Sequence, residues 1–595
     1  MVPRVFSLLA FAGIGYASAQ ASCKCTPGDS CWPSVDTWTA LNKTVSGKLI
    51  HNLPVAISCY PGTYQDTEEC AHVYSQWSNS TFQELSPVGY VYPTADPCPA
   101  VDLSSGTEPG TCTLGPAPIY TINATEPAEL AAGIAFAKKN NVRLVIRNTG
   151  HDMLGKSEGY GALQIWIKYI QKGITFHETY AASDKCTHSG WKGSAITIAG
   201  GYVWGDVYNV AFKRNVIIVG GGDPTVGCIG GYTSGGGHSP ASRDYGLAAD
   251  QVLEAQVVLA NGSIVTANAC QNSDLYFAIR GGGGGSYGVV ISMTFKVYPS
   301  KTVVGQALTI SLIDKDTDSL LEAITDIYEQ YPSIMDGGFS GYGSWSINSP
   351  MQLFSNKTVG YTHAIAIMGK SLANAQKIFD PVLKKLQKYN GTSLDVSVSW
   401  YEFPTYAAYY QAMSGVKQNV GSSHSALTSR MMGKAALASN HTRLRNMIGV
   451  TAGEPNEYAI TNMELIAGGK VLTDGADKHS GLNPAWRSTY MVNVVARGWA
   501  DDSTSQSVKD DITYNKGAAM TQLTPTLGSY MNEADRNDPL WLTNFYGTNY
   551  PRLAAIKKKY DPTGLFYCPT CVGSPSWYQR ALSGTKYGPL CPTGV

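Results

Sequence analysis

A histidine stands in a glycine turn directly after an apolar run, where its ring nitrogens could do chemistry. His151 lies in the stretch RNTGHDMLG, between Gly150 and Asp152, and the run RLVIR precedes it. A neutral imidazole is nucleophilic, and its ordinary pKa of about 6.5 leaves it neutral at physiological pH. Histidines more often serve in a core or on a surface, so a chemical role for His151 requires a ligand-binding frame around it.

Two glycine clusters further along the chain predict such a frame. Residues 219–240 contain nine glycines in 22 positions, and RGGGGGSY at 280–287 adds five. Glycine lets the backbone approach a ligand and turn N–H groups toward it, and phosphates are the usual ligands. Neither cluster is a P-loop or a dinucleotide-binding fingerprint. Flexible surface loops remain the alternative interpretation of both clusters.

Two further motifs could indicate a serine hydrolase or a metal site, but neither motif supports that chemistry on closer inspection. The stretch GHSPA resembles a serine nucleophile elbow, but Ala241 stands where that motif needs glycine, which disfavours a hydrolase. The pair Cys568 and Cys571 has C-x₂-C spacing, which suits zinc, redox work or a disulfide. No second ligand pair has metal spacing, so we predict a disulfide and no metal site.

The chain also has the features of an exported protein. Residues 1–19 predict a signal peptide, because Arg4 precedes an apolar run that ends in ASA. Thirteen cysteines predict mostly disulfides in an oxidising compartment, and their odd number leaves at least one unpaired. Seven glycosylation sequons occur, at Asn42, Asn79, Asn123, Asn261, Asn356, Asn390 and Asn440. We therefore expect a secreted glycoprotein.

The charge balance argues against two classes of partner. Lys plus Arg and Asp plus Glu both number 44, and no run of basic residues occurs. This disfavours nucleic acid and membrane surfaces as partners.

The elements that must position His151 and the glycine clusters have a mixed pattern. Residues 20–112 are cysteine-rich and irregular, whereas 113–300 alternate strands and helices, including a helix in PAELAAGIAFAKKN and a hairpin turning at Asn261–Gly262. Over 301–520, four strands alternate with two one-faced amphipathic helices, which predicts an antiparallel sheet covered on one side. The tail 521–595 contains a helix that ends at Asp561–Pro562. The predicted fold class is α+β.

Four separated motifs together resemble a known family. RNTGHDMLG, the cluster from Gly221 to Gly262, DLYFAIRGGGGGSYGVV and the segment from SYMNEAD to YDPTGLFYC resemble secreted flavoprotein oxidases of the berberine-bridge-enzyme-like branch of the vanillyl-alcohol oxidase superfamily, including fungal isoamyl alcohol oxidases. The resemblance implies a two-part FAD-binding domain of the PCMH type, formed by 113–300 and the return at 521–595. It also implies a substrate domain over 301–520.

The same resemblance implies that His151 bonds covalently to FAD. Many relatives add a second bond from a cysteine just before P-T-V-G; here Asp223 holds that position, so a single bond is expected. Cys228 could supply another bond, but a buried thiol is the plainer interpretation. Further implied flavin contacts are Arg147, Asn148, Thr149, Gly150, Asp152, Gly222, Asp223, Thr225, Gly227, Gly230, Gly231, Ser234, Gly236, His238, Val289, Asn532, Tyr546 and Asn549.

The resemblance also offers a catalytic base. Tyr530, in SYMNEA, matches a tyrosine that can deprotonate a substrate hydroxyl, with Asn532 beside the flavin. A phenol has an ordinary pKa near 10 and needs a cationic neighbour, for which Arg487 is the candidate. Tyr530 could instead only pack against the flavin. Glu464 and Tyr490 are candidates by position alone.

The predicted activity is oxidation of an alcohol, carbohydrate or phenolic substrate by a monomeric enzyme, with hydride transfer to FAD and reduction of O₂ to H₂O₂. Three alternatives remain open: a dehydrogenase that uses quinones, an oxidative-cyclisation enzyme of secondary metabolism, and a binding glycoprotein with a vestigial flavin fold.

Overall fold

The computed structural model describes residues 22–594 except 314, 350–358, 415–423, 439 and 584. The expected signal peptide and the sequon at Asn356 lie outside these residues. The described chain forms three large sheets and two two-stranded ribbons, with helices packed on the sheets. This confirms the α+β prediction.

The first sheet carries the turn that contains His151. Its strands lie in the order Leu49–His51, Tyr120–Asn123, Leu163–Trp166 and Leu144–Arg147; the last three are parallel and the first is antiparallel. The helix Pro127–Lys139 begins with proline at its first position and packs Leu130 and Ile134 against Ile122 and Ile165. The strand Leu144–Arg147 ends at the sheet edge and leads into the turn.

The second sheet supports the glycine clusters. It is antiparallel, in the order Gln171–His177, Ala195–Gly200, Val289–Lys296, Val252–Val258 and Ile264–Asn268. The predicted hairpin is present, and Gly262 has a φ of 82°, a conformation that favours glycine. The helix Trp204–Lys213 buries Trp204 and Val207 against this sheet.

The third sheet has seven antiparallel strands. Their order is Leu394–Phe403, Val303–Leu312, Gly360–Met368, Ser340–Ser346, Ala459–Leu465, Met491–Gly498 and Ser425–Met432. Apolar side chains of one face pack under the helices Thr317–Gly337, Leu372–Leu386, His441–Ala452 and Gly517–Leu523. Because strand side chains alternate between faces, Tyr342 and Glu464 project from the uncovered face.

Shorter elements complete the fold. The ribbons pair Val216–Ile217 with Tyr298–Pro299 and Trp577–Gln579 with Leu590–Pro592. The other α-helices among the described residues are Val35–Thr44, Thr67–Gln76, Ser80–Glu84, Gly231–Ser234, Ser242–Tyr245, Ala248–Gln251, Ser273–Ile279, Tyr406–Ser414, Lys434–Ala438, Gly469–Thr473, Ser505–Asp511, Trp541–Tyr546 and Tyr550–Tyr560.

Six disulfides bridge twelve of the cysteines. The pairs are Cys23–Cys591, Cys25–Cys31, Cys59–Cys70, Cys98–Cys112, Cys186–Cys270 and Cys568–Cys571. Cys228 is the free, buried thiol. The disulfide interpretation of the C-x₂-C pair is thereby confirmed. In the part of the chain that the structure describes, no helix has the length and apolar character that crossing a bilayer requires.

Candidate active site

A cavity of about 530 Å³ is lined by residues from all three sheets. It brings together most of the residues that the sequence singles out, although the motifs lie far apart in the chain. The predicted residues that line it are Asn148, Thr149, Gly150, His151, Asp152, Gly222, Asp223, Gly227, Gly230, Gly231, Ser234, His238, Val289, Tyr530 and Asn532.

The turn that presents His151 is held from behind by Arg147. This guanidinium is buried, donates hydrogen bonds to the carbonyls of Pro87, Gly89 and Thr149, and lies over the ring of Tyr90. Gly150 has a φ of 92°, and a Cβ atom there would lie 2.7 Å from the guanidinium. Arg147 therefore positions the turn and does not line the cavity.

Other predicted residues also lie behind the cavity wall. Thr225, Gly236 and Cys228 are not among the residues that line the cavity. Cys228 is fully buried, and burial raises the pKa of its thiol well above the ordinary value. The Tyr546 hydroxyl donates a hydrogen bond to the Thr570 carbonyl, and the side-chain amide of Asn549 donates one to the Leu482 carbonyl. These groups hold loops in place, so their implied direct contacts with a flavin remain predictions.

His151 is neutral and hydrogen-bonded at one nitrogen. Burial lowers its pKa to about 4, although the nearby Asp223 carboxylate opposes this effect. Its Nε2 lies 2.7 Å from the Thr225 hydroxyl, whose Oγ1 lies 2.8 Å from Asp223 Oδ1. An imidazole that is neutral at every physiological pH keeps a nitrogen lone pair available for bonding.

The cavity wall beside His151 fits a large polar cofactor. The side-chain amide of Asn148 lines the cavity, yet neither its nitrogen nor its oxygen has a partner among the described residues. Gly230 and Gly231 face open space where a side chain would stand. Unpaired buried amide atoms are costly, so a ligand that bonds to Asn148 and fills the space over the glycines is expected here.

A histidine and two carboxyl groups form a buried cluster on the other wall. His238 Nε2 lies 3.1 Å from Glu533 Oε1 and 3.4 Å from Glu464 Oε1, while His238 Nδ1 lies 3.0 Å from the Tyr342 hydroxyl. The two carboxylates outweigh burial and raise the pKa of His238 to about 10. Burial, and then Glu533, raise the pKa of Glu464 to about 8. Glu464 Oε2 is buried without a partner among the described residues.

The structure corrects the expected pairing of Tyr530 with Arg487. The two terminal guanidinium nitrogens of Arg487 donate to Asp250, at 2.8 and 3.0 Å. Its neighbour Trp486 packs against the Tyr530 ring instead. The Tyr530 hydroxyl accepts a 2.8 Å hydrogen bond from Asn532 Nδ2. Burial and the charge of Glu533 raise the phenol pKa well above its ordinary value. Tyr490, the other candidate, donates to Asp336 and does not line the cavity.

Comparison with known proteins identifies the fold and the cofactor class. The family description "FAD binding domain" matches residues 118–268, and "Berberine and berberine like" matches residues 529–573. The FAD-linked oxidoreductase hmp9 of Hypomyces subiculosus is 45% identical over 96% of this chain and 90% of its own length. The chain belongs to the FAD-linked oxidoreductases.

Solved structures and other relatives place this FAD-linked oxidoreductase more closely. The crystal structure of the VAO-type flavoprotein MtVAO713 from Myceliophthora thermophila C1 superposes with a TM-score of 0.92 at 43% identity, covering 96% of this chain and all of that chain. The bifunctional decalin synthase calF of Penicillium decumbens is 33% identical over 95% of this chain and 96% of its own. The expected branch, berberine-bridge-enzyme-like within the vanillyl-alcohol oxidase superfamily, is confirmed.

Some cavity residues of this FAD-linked oxidoreductase escape sequence reasoning. Tyr342 has no sequence signal: it lies directly opposite Glu464 on the neighbouring strand of the seven-stranded sheet. Glu464 itself is a sequence candidate by position alone, because the strand Ala459–Leu465 has no distinctive pattern. Glu533 stands three residues after Tyr530, which is the one available signal for it. Lys156 also lines the cavity, donates to the Met531 carbonyl and has its pKa lowered to about 8 by burial.

Proposed function

We propose that this protein is a secreted, monomeric oxidase that removes a hydride from a small-molecule alcohol, with one covalent bond between His151 and FAD. Bound FAD would supply the hydride acceptor, and dioxygen would be the final electron acceptor. The observation that carries this proposal is that the neutral imidazole of His151 and the unpartnered carboxyl oxygen of Glu464 line the same cavity.

In this proposal, Glu464 is the group that accepts the substrate hydroxyl proton. A base is most effective when its pKa lies near the working pH, and that of Glu464 is about 8. The buried Tyr530 phenol stays protonated, because its pKa lies well above 10. Tyr530 would therefore pack beside the substrate and hold Asn532, and the base role expected for it passes to Glu464.

His238 would keep the proton acceptor in place. Its imidazolium lies between Glu464 and Glu533 and donates toward both, so it stabilises a negative charge that forms when Glu464 ionises. Tyr342 fixes the other ring nitrogen. The cluster of His238, Glu464 and Glu533 can therefore hold the proton that Glu464 accepts while the substrate lies beside Glu464.

The test of the cofactor bond is denaturation of the purified protein. Flavin colour should stay with the acid-precipitated chain, and His151→Ala should release it. Colour released from the unaltered chain would contradict the covalent bond without contradicting FAD binding.

The test of the activity is anaerobic mixing with aliphatic, aromatic and sugar alcohols. At least one class should bleach the flavin absorbance, and admitting air should restore it with one H₂O₂ per carbonyl formed. Bleaching without rapid recovery in air would point to a dehydrogenase.

A second candidate is oxidative cyclisation. A relative named as a decalin synthase, 33% identical over nearly the whole chain, favours it. The same base and hydride acceptor would serve both reactions, and product analysis would separate them: a new ring bond replaces the simple carbonyl.

A further inference from the structure

The hydrogen bonds around His151 fix the positions of two protons. The Thr225 hydroxyl has a single proton and lies between His151 Nε2, at 2.7 Å, and Asp223 Oδ1, at 2.8 Å. A carboxylate only accepts hydrogen bonds, so the hydroxyl proton points to Asp223. The hydroxyl oxygen must then accept from His151, which places a proton on Nε2 and leaves the lone pair on Nδ1.

The carboxylate is itself held in place for this contact. Asp223 Oδ1 also accepts a hydrogen bond from the backbone N–H of Thr225 at 2.8 Å. This one oxygen therefore binds both the backbone N–H and the side-chain hydroxyl of Thr225. Asp223 and His151 line the cavity, whereas Thr225 does not. The hydrogen bonds therefore connect the Asp223 carboxylate to the imidazole through a hydroxyl outside the cavity lining. No other described residue hydrogen-bonds either ring nitrogen of His151.

We propose that Asp223 and Thr225 form a proton relay through which His151 attaches FAD to itself by Nδ1. This inference rests on the covalent bond proposed above and adds the groups of this chain that activate the imidazole. As Nδ1 attacks, Nε2 transfers its proton to Thr225 Oγ1, and Thr225 passes its own proton to Asp223. Positive charge therefore never builds up on a buried imidazole, whose protonation burial already disfavours.

The atoms and electrons of the attachment balance. The new bond joins His151 Nδ1 to the carbon of the 8α-methyl group of FAD. One C–H bond of that methyl and the Nε2–H bond break. The two electrons and the proton of the C–H bond would go to the isoalloxazine, while the proton that leaves the imidazole is matched by the one that Asp223 takes up. Dioxygen would then take the two electrons and both of these protons and become H₂O₂, which returns Asp223 to its carboxylate form. After attachment Nε2 has no proton, so the Thr225 hydroxyl turns to donate to it.

Three variants test the relay. Thr225→Val removes the hydroxyl at nearly constant shape, Thr225→Ser keeps it, and Asp223→Asn keeps the hydrogen-bond acceptor but cannot take up a proton. Flavin-free protein from a riboflavin-starved host is mixed with FAD, and attachment is followed by intact mass and by flavin fluorescence on denaturing gels. Asp380→Asn, at a half-exposed carboxylate that pairs with Lys384 on the helix Leu372–Leu386, is the control for an Asp-to-Asn change outside the site.

We expect the valine and asparagine variants to attach FAD on the order of 100-fold more slowly, the usual contribution of a positioned proton acceptor. The serine variant and Asp380→Asn should stay close to the rate of the unaltered chain. Co-elution of FAD in native gel filtration shows that each variant still folds and binds FAD. Attachment by Thr225→Val or Asp223→Asn at the unaltered rate would overturn the relay.

A measurement on the unaltered chain makes the test independent of the variants. NMR of the isolated flavin peptide identifies the bonded nitrogen: Nδ1 supports the relay and Nε2 overturns it. If the unaltered chain gains no mass from FAD, the covalent bond itself is contradicted, which is a different result from a bond that forms without the relay.

Discussion

At the scale of residues, the proposed oxidation depends on a carboxyl group that the cluster keeps partly protonated. Burial and Glu533 raise the pKa of Glu464 to about 8, so its ionised form grows as the pH rises through that value. We therefore expect kcat/KM to increase with pH up to about 8 and then to level off. Steady-state rates between pH 5 and 10, taken after the covalent flavin is confirmed at each pH, check this; a flat profile would contradict a base with that pKa.

The same residue gives a direct test by substitution. Glu464→Gln keeps the size of the side chain and removes the proton acceptor, so kcat/KM should fall about 10²–10⁴-fold. The flavin should stay attached, because His151 lies on the opposite wall. Glu322→Gln, on the surface helix that covers the far face of the sheet, is the matched control and should leave the rate unchanged. Equal rates for the two variants would exclude Glu464 as the base.

At the scale of elements, the turn after the strand Leu144–Arg147 depends on one buried guanidinium. Arg147→Met leaves the carbonyls of Pro87, Gly89 and Thr149 without a donor, at about 1–3 kcal/mol for each buried group. We expect a lower unfolding temperature and slower flavin attachment, measured by calorimetry and denaturing-gel fluorescence. The exposed Arg443→Met should change neither; equal stability of both variants would contradict the role of Arg147.

Elements with a clear periodicity or turn signal in the sequence could be predicted, and elements without such a signal could not. Helix Pro127–Lys139 and the hairpin at Asn261–Gly262 have clear periodicity or a turn signal, and both are present where predicted. The strand that carries Glu464 lacks both signals. Its sequence does not show which of its side chains face the cavity; that becomes visible only from its pairing with the strand that carries Tyr342. Arg487 was misplaced because sequence order says nothing about Asp250, which captures its guanidinium from another segment.

At the scale of the whole molecule, one disulfide ties the two ends of the described chain. Cys23–Cys591 spans 568 residues, whereas Cys25–Cys31 spans six. In the chain-entropy view, closing a longer loop restricts the unfolded state more. Replacing both cysteines of the long bridge by serine should lower the free energy of unfolding by about 2–5 kcal/mol, and the short bridge should matter less. Denaturant titration of both double variants checks this; a larger loss from the short bridge would contradict it.

The Cys23–Cys591 bridge also makes the described polypeptide a covalent ring. A protease that cuts the backbone once inside this ring opens it without separating any piece, so the nicked molecule would run at full mass on a gel until a reducing agent is added. A first cleavage inside the ring therefore leaves both walls of the cavity covalently joined.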